Sequence, residues 1–145
     1  MYNIEAYTIP IHKLDLPRLL KSWKWLTGED KTMIALTKLG DVIFKDNQQR
    51  LIFLDTGKGK LEIIDEDYRN FTDGNLPNNT YEEMLLTMLV DKLQSSGKTL
   101  ADNQVYSFYK LPVFGGRFIV ENMYVRDLYE HYEATGDAHA QIKES

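Results

Sequence analysis

Asp55-Thr56-Gly57 follows the apolar run Leu51-Ile-Phe-Leu54, the setting in which aspartic proteases present their carboxylates. That chemistry needs two carboxylates that share one proton and a water between them. The chain holds one such triplet, so the reaction would require a homodimer of the retroviral kind with Asp55 donated by each copy. Lys58, directly after the triplet, would set an ammonium beside that pair. The competing reading is a strand ending in a Thr-Gly turn, with Asp55 accepting hydrogen bonds from local backbone.

Other reactive residues form incomplete patterns. Gly57-Lys-Gly-Lys60 lacks the four-residue spacer, the Ser or Thr and the helix of a phosphate loop, and Leu61-Glu-Ile-Ile64 follows it as a strand-like run. His12, His131 and His139 contain no His-Glu-x-x-His, and a spacing of eight does not make a single-helix ligand pair, so no metal site is expected. No Gly-x-Ser-x-Gly occurs. Glu62, Asp65, Glu66 and Asp67, extended by Asp73, lack the glycine and spacing of a calcium loop. They read either as solvated carboxylates near a helix start or as an acidic patch for a cationic partner.

No cysteine is present, which removes disulfides, thiol catalysis and thiolate metal sites. Neither a basic leader followed by an apolar run nor a membrane-length apolar segment is visible, so a soluble, cytoplasmic protein is expected. The net charge of −5 is unevenly spread. Residues 1–60 carry ten Lys/Arg against seven Asp/Glu, whereas residues 61–145 carry seven against fifteen. Nucleic-acid affinity rests on cationic side chains displacing counterions, so this acidic chain is a poor candidate for direct nucleic-acid binding. A basic protein partner suits it better, because opposite fields speed encounter.

The elements that must position these residues follow from spacing. Leu16, Leu19, Leu20 and Trp23 fit a helix that Asp15 caps, with Pro17 in its first turn and Gly28 closing the unit. Met33–Thr37, Val42–Lys45, Leu51–Asp55 and Leu61–Ile64 are short apolar runs with connections too brief for parallel crossovers, so an antiparallel meander is expected. A short helix over Glu66–Phe71 and a loop over 73–79 follow. Thr80-Tyr-Glu-Glu83 matches a capping box that opens one main helix to Ser95, with Met84, Leu85, Met88, Leu89 and Leu93 as its buried stripe. Val105–Lys110, Arg117–Val120 and Tyr124–Glu133 are expected to complete the sheet. The last also fits helical spacing, but its β-branched and aromatic content favours a strand, with a turn at Thr135-Gly-Asp137 and a short terminal helix to Lys143. The fold class is therefore α+β, with the main helix across one face of an antiparallel sheet. Trp23, Phe44, Phe53, Leu54, Leu85, Leu89, Phe108 and Phe118 are the expected core.

Several phrases occur together in order: Trp23-Lys-Trp-Leu-Thr-Gly28, Leu39-Gly-Asp-Val-Ile-Phe44, Phe53-Leu-Asp-Thr-Gly57, Leu61-Glu-Ile-Ile64, Tyr106-Ser-Phe108, Pro112-Val-Phe-Gly-Gly116 and Glu121-Asn122. Asp127-Leu128, His131, Gly136, His139 and Gln141-Ile-Lys143 continue the series. This set resembles the C-terminal domain of type VI secretion immunity proteins that neutralise a DNase effector. The resemblance spans about Trp23 to Lys143, which implies a 23–143 immunity-type domain preceded by a 1–22 lead-in, in a place where relatives often carry a further domain. It departs from the family pattern at Leu111 and at Asp137-Ala138. It implies a protein that works by binding, with no catalytic centre, cofactor or metal. The implied partner is a cognate protein toxin, a basic nuclease effector. Glu62, Asp65, Glu66, Asp67 and Asp73 are the candidate partner-binding residues. The alternatives are the Asp55 protease and a small-ligand-binding module lined by tyrosines.

Overall fold

The meander expected between residues 31 and 65 is present strand for strand in a computed structural model that describes residues 3–144. Its strands are β2 (Lys31–Thr37), β3 (Val42–Asp46), β4 (Leu51–Asp55) and β5 (Lys60–Asp65). A two-residue strand that the sequence did not signal, β1 (Thr8–Ile9), adds to the outside of β2, giving the order β1-β2-β3-β4-β5, antiparallel throughout. A second sheet pairs β6 (Gln104–Phe108) with β7 (Met123–Asp127). It meets the meander where the Tyr106 amide donates to the Lys38 carbonyl at 2.8 Å.

Side chains alternate across the pleat, so the unbroken apolar runs of β3 and β4 require cover on both faces. Val42, Phe44, Ile52 and Leu54 point one way, where they meet Leu19, Leu20, Trp23, Leu128 and Tyr132. Ile43, Leu51 and Phe53 point the other way, onto Phe71, Tyr81, Met84 and Leu85. The first layer comes from α1 (Leu16–Leu20), α2 (Lys24–Thr27) and α6 (Leu128–Glu144); the second from α3 (Arg69–Thr72) and α4 (Asn78–Leu85). A third cluster lodges α5 (Thr87–Ser95) against the small sheet through Val90, Leu93, Tyr106, Phe108 and Met123. The α+β class holds. Helices, however, cover both faces of the sheet, and the longest is α6.

Asp15 caps α1 as expected, accepting from the Arg18 amide at 3.2 Å, and Gly28 ends α2 with a left-handed φ of 69°. The expected 80–95 helix is broken. Leu86 takes φ 48° and ψ 54°, so α4 and α5 leave it at an angle. α4 begins earlier than expected, after Pro77, and Thr80 and Glu83 form no capping box. The break also redirects the stripe: Val90 is buried, Leu89 is half-buried and Met88 is 67% exposed.

Two expected strands are corrected. Arg117–Val120 is irregular and runs into a 3₁₀ turn at Val120–Asn122. Gly116 presses the chain there against Lys110, so closely that an added Cβ would lie 1.8 Å from the Lys110 carbonyl oxygen. The Asn122 amide group then clamps the loop, donating to the Lys110 and Arg117 carbonyls and accepting from the Lys110 amide. In Tyr124–Glu133 the strand stops at Asp127 and α6 starts at once. Thr135-Gly-Asp137 lies inside that helix, because Gly136 is the point where α6 touches the backbone of Ser22. Of the expected core, Trp23, Phe44, Phe53, Leu54, Leu85 and Phe108 are buried, whereas Phe118 is 38% exposed.

Candidate functional site

The phrases that were scattered in the sequence converge on one buried polar hub. Gly40-Asp41 lead into β3, Thr56 follows the last residue of β4, β6 carries Ser107, and α6 projects His131 and His139 from one side. The Asp41 carboxylate oxygen Oδ1 accepts from the Thr56 amide at 2.8 Å and lies 3.1 Å from the Thr56 hydroxyl. That hydroxyl also reaches the Gly40 carbonyl at 2.8 Å and faces His131 Nε2 at 3.0 Å. The Gly40 carbonyl can only accept, so His131 Nε2 carries the imidazole proton and donates to it at 3.1 Å. Nδ1 is then bare and accepts from the Ser107 hydroxyl at 2.9 Å. His139 Nε2 donates to the Thr56 carbonyl at 2.9 Å.

Burial sets the charge states. It pushes the His131 imidazole down to about 4, because no water is left to solvate the cation. It raises the Asp41 carboxyl well above the usual range, helped by the nearby charge of Asp55 and opposed by the Thr56 hydrogen bonds. Tyr132 is raised in the same way, by burial and then by Asp41. Gly40 is required for this fit: its φ is 78°, and a Cβ there would lie 2.2 Å from His131 Nε2.

A serine donating to a histidine invites a hydrolase reading, but Ser107 is 1% exposed and His131 fully buried, which leaves no approach for a substrate carbonyl. Asp55 serves the turn. Its carboxylate accepts from the Lys58 amide at 2.9 Å, while Thr56 turns inward to the hub. Among the described residues, no group of three or more His, Asp or Glu side chains could hold a metal ion. Sequence reasoning had every hub residue in view but no link between them, since partners lie up to 91 positions apart.

The acidic candidates occupy the outermost strand and the turn after it. Glu62 is exposed on β5, and Glu66 and Asp73 are exposed beyond it. None of these three carboxylates makes a hydrogen bond or ion pair among the described residues. The other two shape the turn. Asp65 accepts from the Asp67 amide and the Asn70 side chain, at 2.9 and 2.8 Å. Asp67 holds Arg69 through a two-pronged ion pair, whose hydrogen bonds keep the Asp67 carboxyl below its usual range. The residues missed by sequence reasoning are apolar: Met88, Phe118 and Ile119 are open to solvent on a neighbouring surface.

The result is an α+β domain with a buried polar hub and a partly apolar exposed surface. Its sequence then fixes the family. Residues 65–139 match the C-terminal region of the type VI secretion system (T6SS) immunity protein Tdi1, and the chain belongs to that family. The crystal structure of Atu4351 from Agrobacterium tumefaciens shares the fold, with a TM-score of 0.57 at 14% identity over 86% of this chain and 65% of that one. This chain thus spans about 65% of that protein's length. No curated protein matches.

Proposed function

We propose that this chain is a non-catalytic immunity protein that binds a cognate type VI secretion effector, a basic nuclease, in the cytoplasm and blocks it. Membership of the immunity family over residues 65–139 is the observation that carries this reading. Charge supports the nuclease part. A nuclease needs a cationic groove for DNA, and residues 61–145 supply fifteen carboxylates against seven cations to meet one. Glu62, Glu66 and Asp73 are the carboxylates free to do so, with Asp65 and Asp67 completing the same turn. The internal bonding of Asp41, Asp55, Ser107 and His131 supports a role without catalysis. Among the described residues, no helix is long and apolar enough to cross a membrane.

The test is co-expression with a type VI secretion nuclease effector from the same genome. The two should co-purify, and the chain should suppress DNA cleavage at equimolar ratio. An effector that neither binds this chain nor is inhibited by it overturns the reading.

A further inference from the structure

The break at Leu86 bends α4 away from α5 and opens a cleft on the surface. On one side of the break, a groove of about 430 Å³ runs between the end of α4 and the outer strand β5, with Phe53, Met84 and Phe118 in its walls. On the other side, a groove of about 390 Å³ runs between α5 and the 118–121 loop, lined by Met88 and Ile119. Leu86 and Phe118 line both, so the two grooves adjoin and are treated together as one cleft. Met88 is 67% exposed and Ile119 37%, a cost in apolar surface that folding of this chain does not recover.

The cleft has an acidic border. Glu62 and Glu83 flank the first groove, and Glu121 the second; none of the three has a hydrogen-bonding or ion-pair partner among the described residues. Asp41, Asp55 and Glu82 bring the lining carboxyl groups to six, against the ammonium groups of Lys58, Lys60 and Lys92. Lys58 sits over the Phe118 ring at 5.6 Å. Gly116 and Asn122 fasten the loop that presents Phe118 to Lys110.

We infer that this cleft is the anchoring site for the effector, and that its occupant is an effector segment with apolar side chains flanked by basic residues. Apolar anchors supply affinity when they are desolvated inside a charged border, and the border sets the rate of encounter. The inference rests on the proposed function and adds to it the surface and the chemistry of the segment that meets it. It also shifts the contact from the acidic turn alone to the cleft that Glu62 borders.

The experiment measures binding of that purified effector to the wild-type chain and to three variants, across a salt series. Met88→Asp with Ile119→Asp should weaken binding by about 30-fold or more, mainly through faster dissociation. Glu62→Lys with Glu83→Lys should slow association by about tenfold at low salt and flatten its salt dependence. Ile63→Asp, with an exposure between those of Met88 and Ile119 but outside the cleft lining, should change affinity less than about threefold. A folded Met88→Asp/Ile119→Asp chain that binds as tightly as wild type overturns the cleft and leaves the immunity reading standing. Failure of the wild-type chain to bind the effector overturns both. A wild-type dimer that this double variant makes monomeric identifies a second copy as the occupant, and overturns the inference as well.

Discussion

The hub and the cleft lie close together, joined by the Asp55–Lys58 turn, yet they use polar and apolar groups in opposite ways. In the hub, two histidines, a carboxyl, two hydroxyls and two backbone carbonyls are removed from water and bonded to one another. At the cleft, apolar side chains stay in water while carboxylates stand unpaired. Buried polar networks are expensive when any member is missing, whereas exposed groups cost the fold little when changed. The hub should therefore govern stability and the cleft association, and mutations should separate the two.

The sharpest break is at Gly40. Gly40→Ala adds a methyl group into the His131 ring at a φ that L-residues rarely adopt, and should destabilise the fold by about 4 kcal/mol or more. Urea or thermal unfolding measures this, and a melting temperature within a few degrees of wild type would show the hub to be soft. Adding His131→Ala to Gly40→Ala should cost less than the sum of the two single changes, because the collision is then removed. Thr56→Val ranks next. It leaves the amide bond to Asp41 but strips the hydroxyl shared by Gly40, Asp41 and His131, for an expected loss of about 2–3 kcal/mol.

Acid sharpens the comparison within the hub. His131 has its folded pKa lowered to about 4 from 6.5, so its share of stability is complete above 6.5 and is lost as pH falls toward 4. Asp41 has its folded pKa raised, so its share has the opposite sign: it is complete below the unfolded value of 3.8 and is lost as pH rises through the folded value. The two slopes therefore oppose each other in the wild type. Asp41→Asn removes the second slope, so as pH falls from 6.5 toward 4 the variant should lose stability more steeply than wild type. Parallel stability profiles for the two chains would sink this account.

The smallest effect is expected at the cleft. Met88→Asp should change unfolding free energy by no more than about 0.5 kcal/mol, since the side chain is already in water. A loss comparable to that of Thr56→Val would mean that Met88 belongs to the core after all.

Local physics was legible in the sequence where it was sufficient. The meander follows from apolar runs with short connections, and α1 from Asp15, Pro17 and leucine spacing. Tertiary contacts overrode local signals elsewhere. Gly136 looked like a turn residue, yet α6 needs it to touch Ser22, and the valine and tyrosines around Tyr124–Tyr132 serve both a strand and a helix. The 80–95 pattern concealed a left-handed leucine, because no turn residue marks it. Phe118 was expected inside, but the Gly116 approach to Lys110 and the Asn122 clamp hold its loop at the surface. The hub was visible only as isolated phrases, since strand ends and a helix bring its members together from across the chain. Carboxylates could be counted, but the clustering that separates Glu62 from the turn-bound Asp65 could not.

Burial of the hub also governs what resemblance can convey. Gly40, Asp41, Thr56, Ser107, His131 and His139 are buried and hold the frame together from inside, and the matched stretch, residues 65–139, includes three of them. A likeness carried by buried positions of this kind transmits information about the scaffold and almost none about the recipient of its binding. Two chains with the same hub and different residues at 88, 118 and 119 should neutralise different effectors. Exchanging those three side chains between relatives is the change that should redirect protection from one toxin to another.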